Sequence, residues 1–221
     1  MNKLTLGYCP IGNGNNIAPF DRVFGNIQDI SKSIKGVDAV VFWGGTDIHP
    51  SLYKQGAHKE SQAHGLLPSN RDVFEWNAMK YCKVHNIPMI GVCRGAQLMC
   101  AFAGGTLIQH VTGHVGGGGS HAIIVEGRNN IIDVTSCHHQ MMYPFDVQHH
   151  MLAWSAVKKS NVYENDIGSV DMHGKVEPEI VYFPQINGLA IQGHPEWAVQ
   201  STFADLCNEY IEAMLVPDLV I

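Results

Sequence analysis

Long apolar runs are missing from this 221-residue sequence, and none approaches the roughly 18–20 residues that a membrane-spanning helix needs. The first residues, Met1-Asn-Lys-Leu-Thr-Leu6, lack the apolar core of a signal peptide. A cytoplasmic protein with no membrane partner is therefore expected. Basic residues are few and unclustered: 14 lysines and arginines against 20 acids give a formal charge of −6, which argues against nucleic acid as a partner. The six cysteines (Cys9, Cys82, Cys93, Cys100, Cys137 and Cys207) form no C-x-x-C pair, and their irregular spacing reads as reduced thiols rather than a disulfide framework. No repeat occurs, and no low-complexity stretch exceeds Gly116–Gly119. Those glycines lack the lysine and the strand–loop–helix setting of a phosphate loop, so they read as a flexible loop.

What remains is ordinary for a globular enzyme, with 45% hydrophobic and 15% charged residues. The length suits one domain spanning 1–221 with a sizeable core. Leu4–Tyr8 reads as a strand, ended by a Gly/Asn-rich turn at 12–16. Val23, Phe24, Ile27, Ile30 and Ile34 fall at helical spacings, so Asp21–Ile34 is predicted to be a helix with Asp21 as its N-cap. Val37–Trp43 is then a second strand, and the three elements predict a strand–helix–strand crossover. Thr46–Pro68 has no periodicity and suits a functional loop. Ser69 caps a helix running to His85. Later segments are rich in strands, with a hairpin turning at Pro184–Gly188 and a closing helix over 198–214. The pattern predicts an α/β fold: a three-layer sandwich with a mostly parallel central sheet and a small antiparallel extension.

The centre of this plan is Pro88-Met-Ile-Gly-Val-Cys-Arg-Gly-Ala-Gln97. Met89, Ile90 and Val92 make a buried strand, and Gly91-Val-Cys-Arg-Gly95 has the G-x-nucleophile-x-G form of a nucleophile elbow with cysteine at its tip. The following helix N-terminus favours thiolate at Cys93. A thiol nucleophile needs a base, and the base needs a partner to fix its tautomer. His194 and Glu196 supply both by position, just after the strand Leu189–Gln192, with Pro195 holding the backbone extended between them. In an open α/β sheet the strand C-termini gather along one edge, where active sites form.

These residues resemble the cysteine–histidine–glutamate triad of class I glutamine amidotransferases, and more narrowly of their γ-glutamyl hydrolase-like branch, the C26 peptidases. Gly44-Gly-Thr-Asp-Ile-His-Pro-Ser-Leu-Tyr53 resembles the branch's G-G-x-D-[IV]-x-P-x-x-Y loop. Arg71-Asp-x-x-Glu75, Gly104-Gly-Thr-Leu107 and Ser136-x-His-His-Gln140 follow in family order. The resemblance implies a flavodoxin-like fold and hydrolysis of a γ-glutamyl amide, glutamine or a γ-glutamyl-amine, through a thioester at Cys93. It implies His194 as base and acid, Glu196 as its orienter, and the backbone N–H groups of Gly45 and Arg94 as oxyanion hole. Gln97, Ser136, His138 and His139 are implied to hold the substrate. No cofactor is implied. Three departures bear on the leaving-group side. Gly193 stands where an aromatic is usual, which opens one wall of the pocket. Thr135 replaces a common asparagine, and Asp171–Glu179 only loosely echoes D-G-x-x-E. A stand-alone hydrolase, a glutaminase passing ammonia to a separate synthetase, and a silent binding protein are the readings in play; the intact triad argues against the last. A homo-oligomer stays open.

Plainer readings apply elsewhere. Cys82, Cys100 and Cys207 sit on apolar helix faces and read as core, while Cys9 and Cys137 could be either core or cleft. Arg71, Asp72 and Glu75 read most simply as a helix start whose acids suit the dipole. The 13 histidines invite a metal site, with His110 and His114 four apart and His138-His139 and His149-His150 adjacent. Gly113 interrupts any helix that would align the first two, and adjacent residues point apart in a strand. Solvated or hydrogen-bonded histidines, and no metal, are expected.

Overall fold

A computed structural model describes residues 3–11, 15–63, 65–114 and 119–216. Nine strands form its central sheet: β1 Thr5–Tyr8, β2 Asn26–Asp29, β3 Ala39–Phe42, β4 Met89–Val92, β5 Ser120–Val125, β6 Ile131–Thr135, β7 His150–Ser155, β8 Pro178–Phe183 and β9 Gly188–Ile191. Their order is β2-β1-β3-β4-β9-β8-β7-β5-β6. Pairings from β2 to β9 are parallel, and those from β9 to β6 are antiparallel. Three α-helices cover it: α1 Asn70–Val84, α2 Arg94–Phe102 and α3 Thr202–Tyr210.

The layers follow from which side chains each strand presents. One face of the sheet packs Val40, Phe42, Met89 and Ala190 against Met79 and Cys82 of α1 and Leu98 to Ala101 of α2. The other packs Val41, Ile90 and Leu189 against Phe203, Leu206 and Cys207 of α3. Strands β3, β4 and β9 are buried at every position, which is what helices on both faces require and why their sequences are unbroken apolar runs. The expected α/β sandwich is therefore present, and its antiparallel extension grows to four strands. Cys82, Cys100 and Cys207 are core as expected, Cys9 is also fully buried, and Cys137 is exposed. No helix among the described residues is long and apolar enough to cross a membrane.

One element differs. In place of a helix over Asp21–Ile34 the chain makes a 3-10 turn at Phe20–Arg22 and then β2, so among the described residues no α-helix crosses between β1 and β3. Phe20, Phe24 and Ile30 enter the core, but Ile27 is 44% exposed on the outer strand. Without β2, the edge of β1 would present a row of unpaired backbone groups. The Gly/Asn-rich turn lies partly outside the described residues, as does most of the Gly116–Gly119 loop.

Candidate active site

Three adjacent parallel strands deliver the site. β3 ends in Gly44-Gly45, β4 in Cys93, and β9 leads through Gln192-Gly193 to His194. Each loop thus leaves the same edge of the sheet, with Cys93 in the middle.

Cys93 has φ 50° and ψ −106°, a left-handed φ that a non-glycine residue adopts at a cost of about 1–3 kcal/mol. The turn is held by the Cys93 N–H donating to the Ile191 carbonyl at 2.7 Å. Its flanking glycines are there for room: a Cβ on Gly91 would lie 2.6 Å from the Gly95 carbonyl carbon, and one on Gly95 would run into the Phe42 carbonyl. The Cys93 side chain is buried. That burial pushes the thiol up to about 12, opposed by the Arg94 N–H and reinforced by the Glu196 charge. The helix N-terminus therefore does not make a resting thiolate here, because desolvation outweighs it.

The Nδ1 atom of His194 lies 2.8 Å from Oε1 of Glu196. The backbone around the histidine is clamped by Thr135, whose carbonyl accepts from the His194 N–H and whose hydroxyl donates to the His194 carbonyl at 2.7 Å. Trp197 stacks on the imidazole with ring centroids 3.9 Å apart and planes 5° from parallel. A carboxylate at Nδ1 fixes the tautomer that leaves Nε2 as the basic nitrogen. That Nε2 is buried and has no hydrogen-bond partner among the described residues. The imidazole lies near Cys93: a Cβ built on Gly44 would sit 3.1 Å from His194 Cε1 and 3.6 Å from Cys93 Cβ. Thr135 was visible in the sequence only as a departure, and its clamp depends on β6 ending beside His194. Gly193 does not open the pocket wall. Its missing side chain is matched by Val134, by the Thr135 carbonyl at 2.9 Å and by Phe203 at 3.1 Å, which take up that space.

Gly45 has φ +146°, and the space a Cβ would take is filled by the Arg71 guanidinium. Arg71 donates to the Trp43 carbonyl at 2.8 Å, to the Gly44 carbonyl at 3.1 Å and to Glu75 at 2.9 Å. Glu75 also accepts from Arg94, which in turn pairs with Asp72. Asp72 does close a capping box with Ser69, so the helix-start reading holds. It is incomplete, however, because Asp72, Glu75 and Arg94 are all buried. The Arg-Asp-x-x-Glu motif ties the glycine loop to Arg94, the residue after Cys93. Gly45→Ala is expected to lower kcat by about 10²–10³-fold by displacing a backbone N–H donor, while circular dichroism stays native. An unchanged kcat would exclude this loop from the oxyanion site.

A cavity of about 190 Å³ opens beside the thiol, lined by Gly45, Asp47, Gln62, Cys93, Gln97, Cys137, His138, His139 and Gln140. Gln97 is fixed by donating to the Gln140 carbonyl at 2.9 Å. His139 pairs with Asp47 at 3.0 Å, which raises its pKa against the opposing effect of burial. His138 is driven well below the ordinary imidazole range, first by burial and then by the neighbouring His114. Asp47 and Gln62 divide this cavity from a larger recess of about 360 Å³ that includes His49, Arg71 and Arg94. The long Thr46–Pro68 loop thus walls the site. Of the predicted substrate residues, Gln97, His138 and His139 reach the cavity and Ser136 does not; its hydroxyl bonds to His114 instead. Of the two states expected for the histidines, His114, His121 and His138 take the second: they are buried and hydrogen-bonded, to the Ser136 hydroxyl, Glu179 and the Gln140 carbonyl.

The chain is 35% identical over 96 residues to a glutamine amidotransferase-like protein of Lactococcus lactis subsp. cremoris, covering 43% of this chain and 47% of that one. It is 37% identical over 118 residues to Protein NtpR of Enterococcus hirae, covering 50% and 46%. The chain thus spans less than half the length of these relatives. Among solved structures, a glutamine amidotransferase of Thermotoga maritima superposes with a TM-score of 0.59 at 12% identity, over 100% of this chain and 89% of that one. A chain in the structure of PurLQS from Thermotoga maritima gives 0.56 at 12% identity, over 90% and 91%. At these identities the likeness is one of fold. Residues 22–196 match the family described as Peptidase C26, most of the sequence, and the chain therefore belongs to the C26 peptidases of the class I glutamine amidotransferase-like superfamily.

Proposed function

We propose that the chain is a cysteine-dependent hydrolase of γ-glutamyl amides, working through a thioester at Cys93. The observation that carries this reading is the buried, unpartnered Nε2 of His194, with Nδ1 engaged by Glu196 and the nucleophile alongside. Sγ of Cys93 attacks the γ-carbonyl carbon while its proton passes to His194 Nε2. Burial raises the thiol, so it needs His194 as base to attack. The oxyanion is taken by the N–H groups of Arg94 and Gly45, each worth about 2.7–4 kcal/mol where such donors have been removed. The C–N bond breaks, His194 gives its proton to the departing amine or ammonia, and a γ-glutamyl thioester remains. Water then attacks, His194 takes its proton, and the proton returns to Sγ as glutamate leaves. Gln97, His138 and His139 hold the glutamyl group; Ser136 acts at one remove by supporting His114.

Incubation with glutamine and a panel of γ-glutamyl amides, followed by mass spectrometry of quenched protein, tests the reading. A mass increase of one glutamyl group on the peptide carrying Cys93, absent in Cys93→Ala, is the expected result. No turnover and no adduct with any substrate would sink it. A second reading, a glutaminase component serving a synthetase, draws on the fold shared with the PurLQS chain and on Trp197, which is 52% exposed at the rim of the site. Turnover of glutamine only after a partner is added would favour it.

A further inference from the structure

Behind the Ser136–Gln140 wall lies a second cluster that the hydrolytic chemistry does not use. His114 follows the short strand His110–Val111, His121 is on β5 and Glu179 on β8; all three are buried. One ligand atom from each lies within 4.8 Å of the other two. Nε2 of His121 is 2.7 Å from Oε1 of Glu179. Nε2 of His114 stands 3.3 Å from Glu177, yet makes no hydrogen bond to it or to any described residue. Oε2 of Glu179 is likewise buried and unbonded. Glu179 faces Gln192 across the β8–β9 ladder, through the Gln192 N–H donating to the Glu179 carbonyl, and both side-chain atoms of that amide lack partners. Such a concentration of orphaned buried atoms is uncommon in a native interior.

The charges point the same way. Glu177 and Glu179 are two buried carboxylates, and among the described residues their only ion-pair partners are the imidazoles of His114 and His121. Glu177 accepts from the N–H groups of Lys159 and Ser160 and from the Tyr163 hydroxyl, whereas Glu179 has no such donors beyond His121 among the described residues. A buried carboxylate oxygen left without a donor, as Oε2 of Glu179 is, is normally matched by a hydrogen-bond donor or a cation. A cleft of about 140 Å³ lined by Gly113, Ser120, Ser136 and Lys159 leads to both histidines.

We propose that His114, His121 and Glu179 bind a divalent transition ion, with zinc the best match to a two-imidazole, one-carboxylate set. Bond lengths of about 2.0–2.2 Å put tetrahedral ligand atoms roughly 3.3–3.5 Å apart, so His121 and Glu179 need to separate by less than about 1 Å. The ion replaces the proton between them, which is released on binding. The fourth position faces the cleft. Ser136, at 3.2 Å from His114 Nδ1, orients that ligand from behind. The site has a structural role for the catalytic pocket, because the His138 N–H hangs on the His114 carbonyl at 3.1 Å.

The test uses the whole chain, stripped with a chelator and titrated with Zn²⁺, and with Co²⁺ as a spectroscopic probe. One Zn²⁺ per chain, intense visible bands of tetrahedral Co²⁺ and a raised Tm are expected. His121→Ala and Glu179→Gln are expected to weaken uptake by at least 100-fold, whereas Cys93→Ala keeps it. X-ray absorption of the zinc-loaded wild-type protein covers the case in which a variant does not fold: nitrogen and oxygen neighbours are expected. Sulfur at about 2.3 Å, loss of binding in Cys93→Ala, or no stoichiometric uptake would each overturn the proposal, the last leaving a proton-sharing network in its place.

Discussion

Cys93→Ala is expected to lower kcat/KM for a γ-glutamyl amide by about 10⁴–10⁶-fold, and His194→Ala by a similar factor, because nucleophile and base act as one unit. The double variant is then expected to lose almost nothing further. Glu196→Gln is expected to cost about 10⁴-fold: an amide at Nδ1 keeps the shape but releases the tautomer and does not stabilise the imidazolium. The single hydrogen bond at 2.8 Å, buried under Trp197, is what makes this carboxylate decisive. Steady-state rates with matched circular dichroism spectra check all four proteins. If His194→Ala retained a tenth of the wild-type rate, the base would have to lie elsewhere.

The largest effect on stability is expected at Arg94. Its guanidinium is 2% exposed and pairs with Asp72 and Glu75, whose side chains are 3% and 0% exposed. Arg94→Met fills the same volume but leaves buried carboxylates facing apolar atoms, a loss of about 3–5 kcal/mol. Urea unfolding measures it. Arg22 provides the control: its pair with Asp205 is about half exposed on both sides, and Arg22→Met is expected to cost about 0–1 kcal/mol. Equal losses at the two sites would mean that the buried network is not holding the elbow. Glu75 is shared between Arg94 and Arg71, so Arg94→Met is also expected to slacken the Gly44-Gly45 loop and depress kcat.

The elbow was legible because its constraints are local. A buried central strand has to be apolar at every position, and the tight turn after it needs Gly91 and Gly95 for clearance. The N-cap at Ser69 was legible for the same reason, its partner Asp72 being three residues away. Asp21–Ile34 was misread although its apolar spacing was real. Phe24 and Ile30 do enter the core, but from the irregular segments just before and just after the edge strand β2, and the choice was made by β1, whose edge β2 pairs.

The same division runs through the site. The residue types, their order and the Cys93–His194–Glu196 assignment came from the sequence alone, since a nucleophile at a strand end and a His-Pro-Glu turn each carry their chemistry within a few residues. Only the tertiary structure decided the rest. It buried the Cys93 thiol enough to override the helix N-terminus, turned Arg71, Asp72, Glu75 and Arg94 into one charged cluster, and moved Ser136 out of the pocket. It also brought His114, His121 and Glu179 together from three separate elements. Desolvation, and contacts between residues far apart in the chain, are set by what folds over a side chain; no local pattern encodes them.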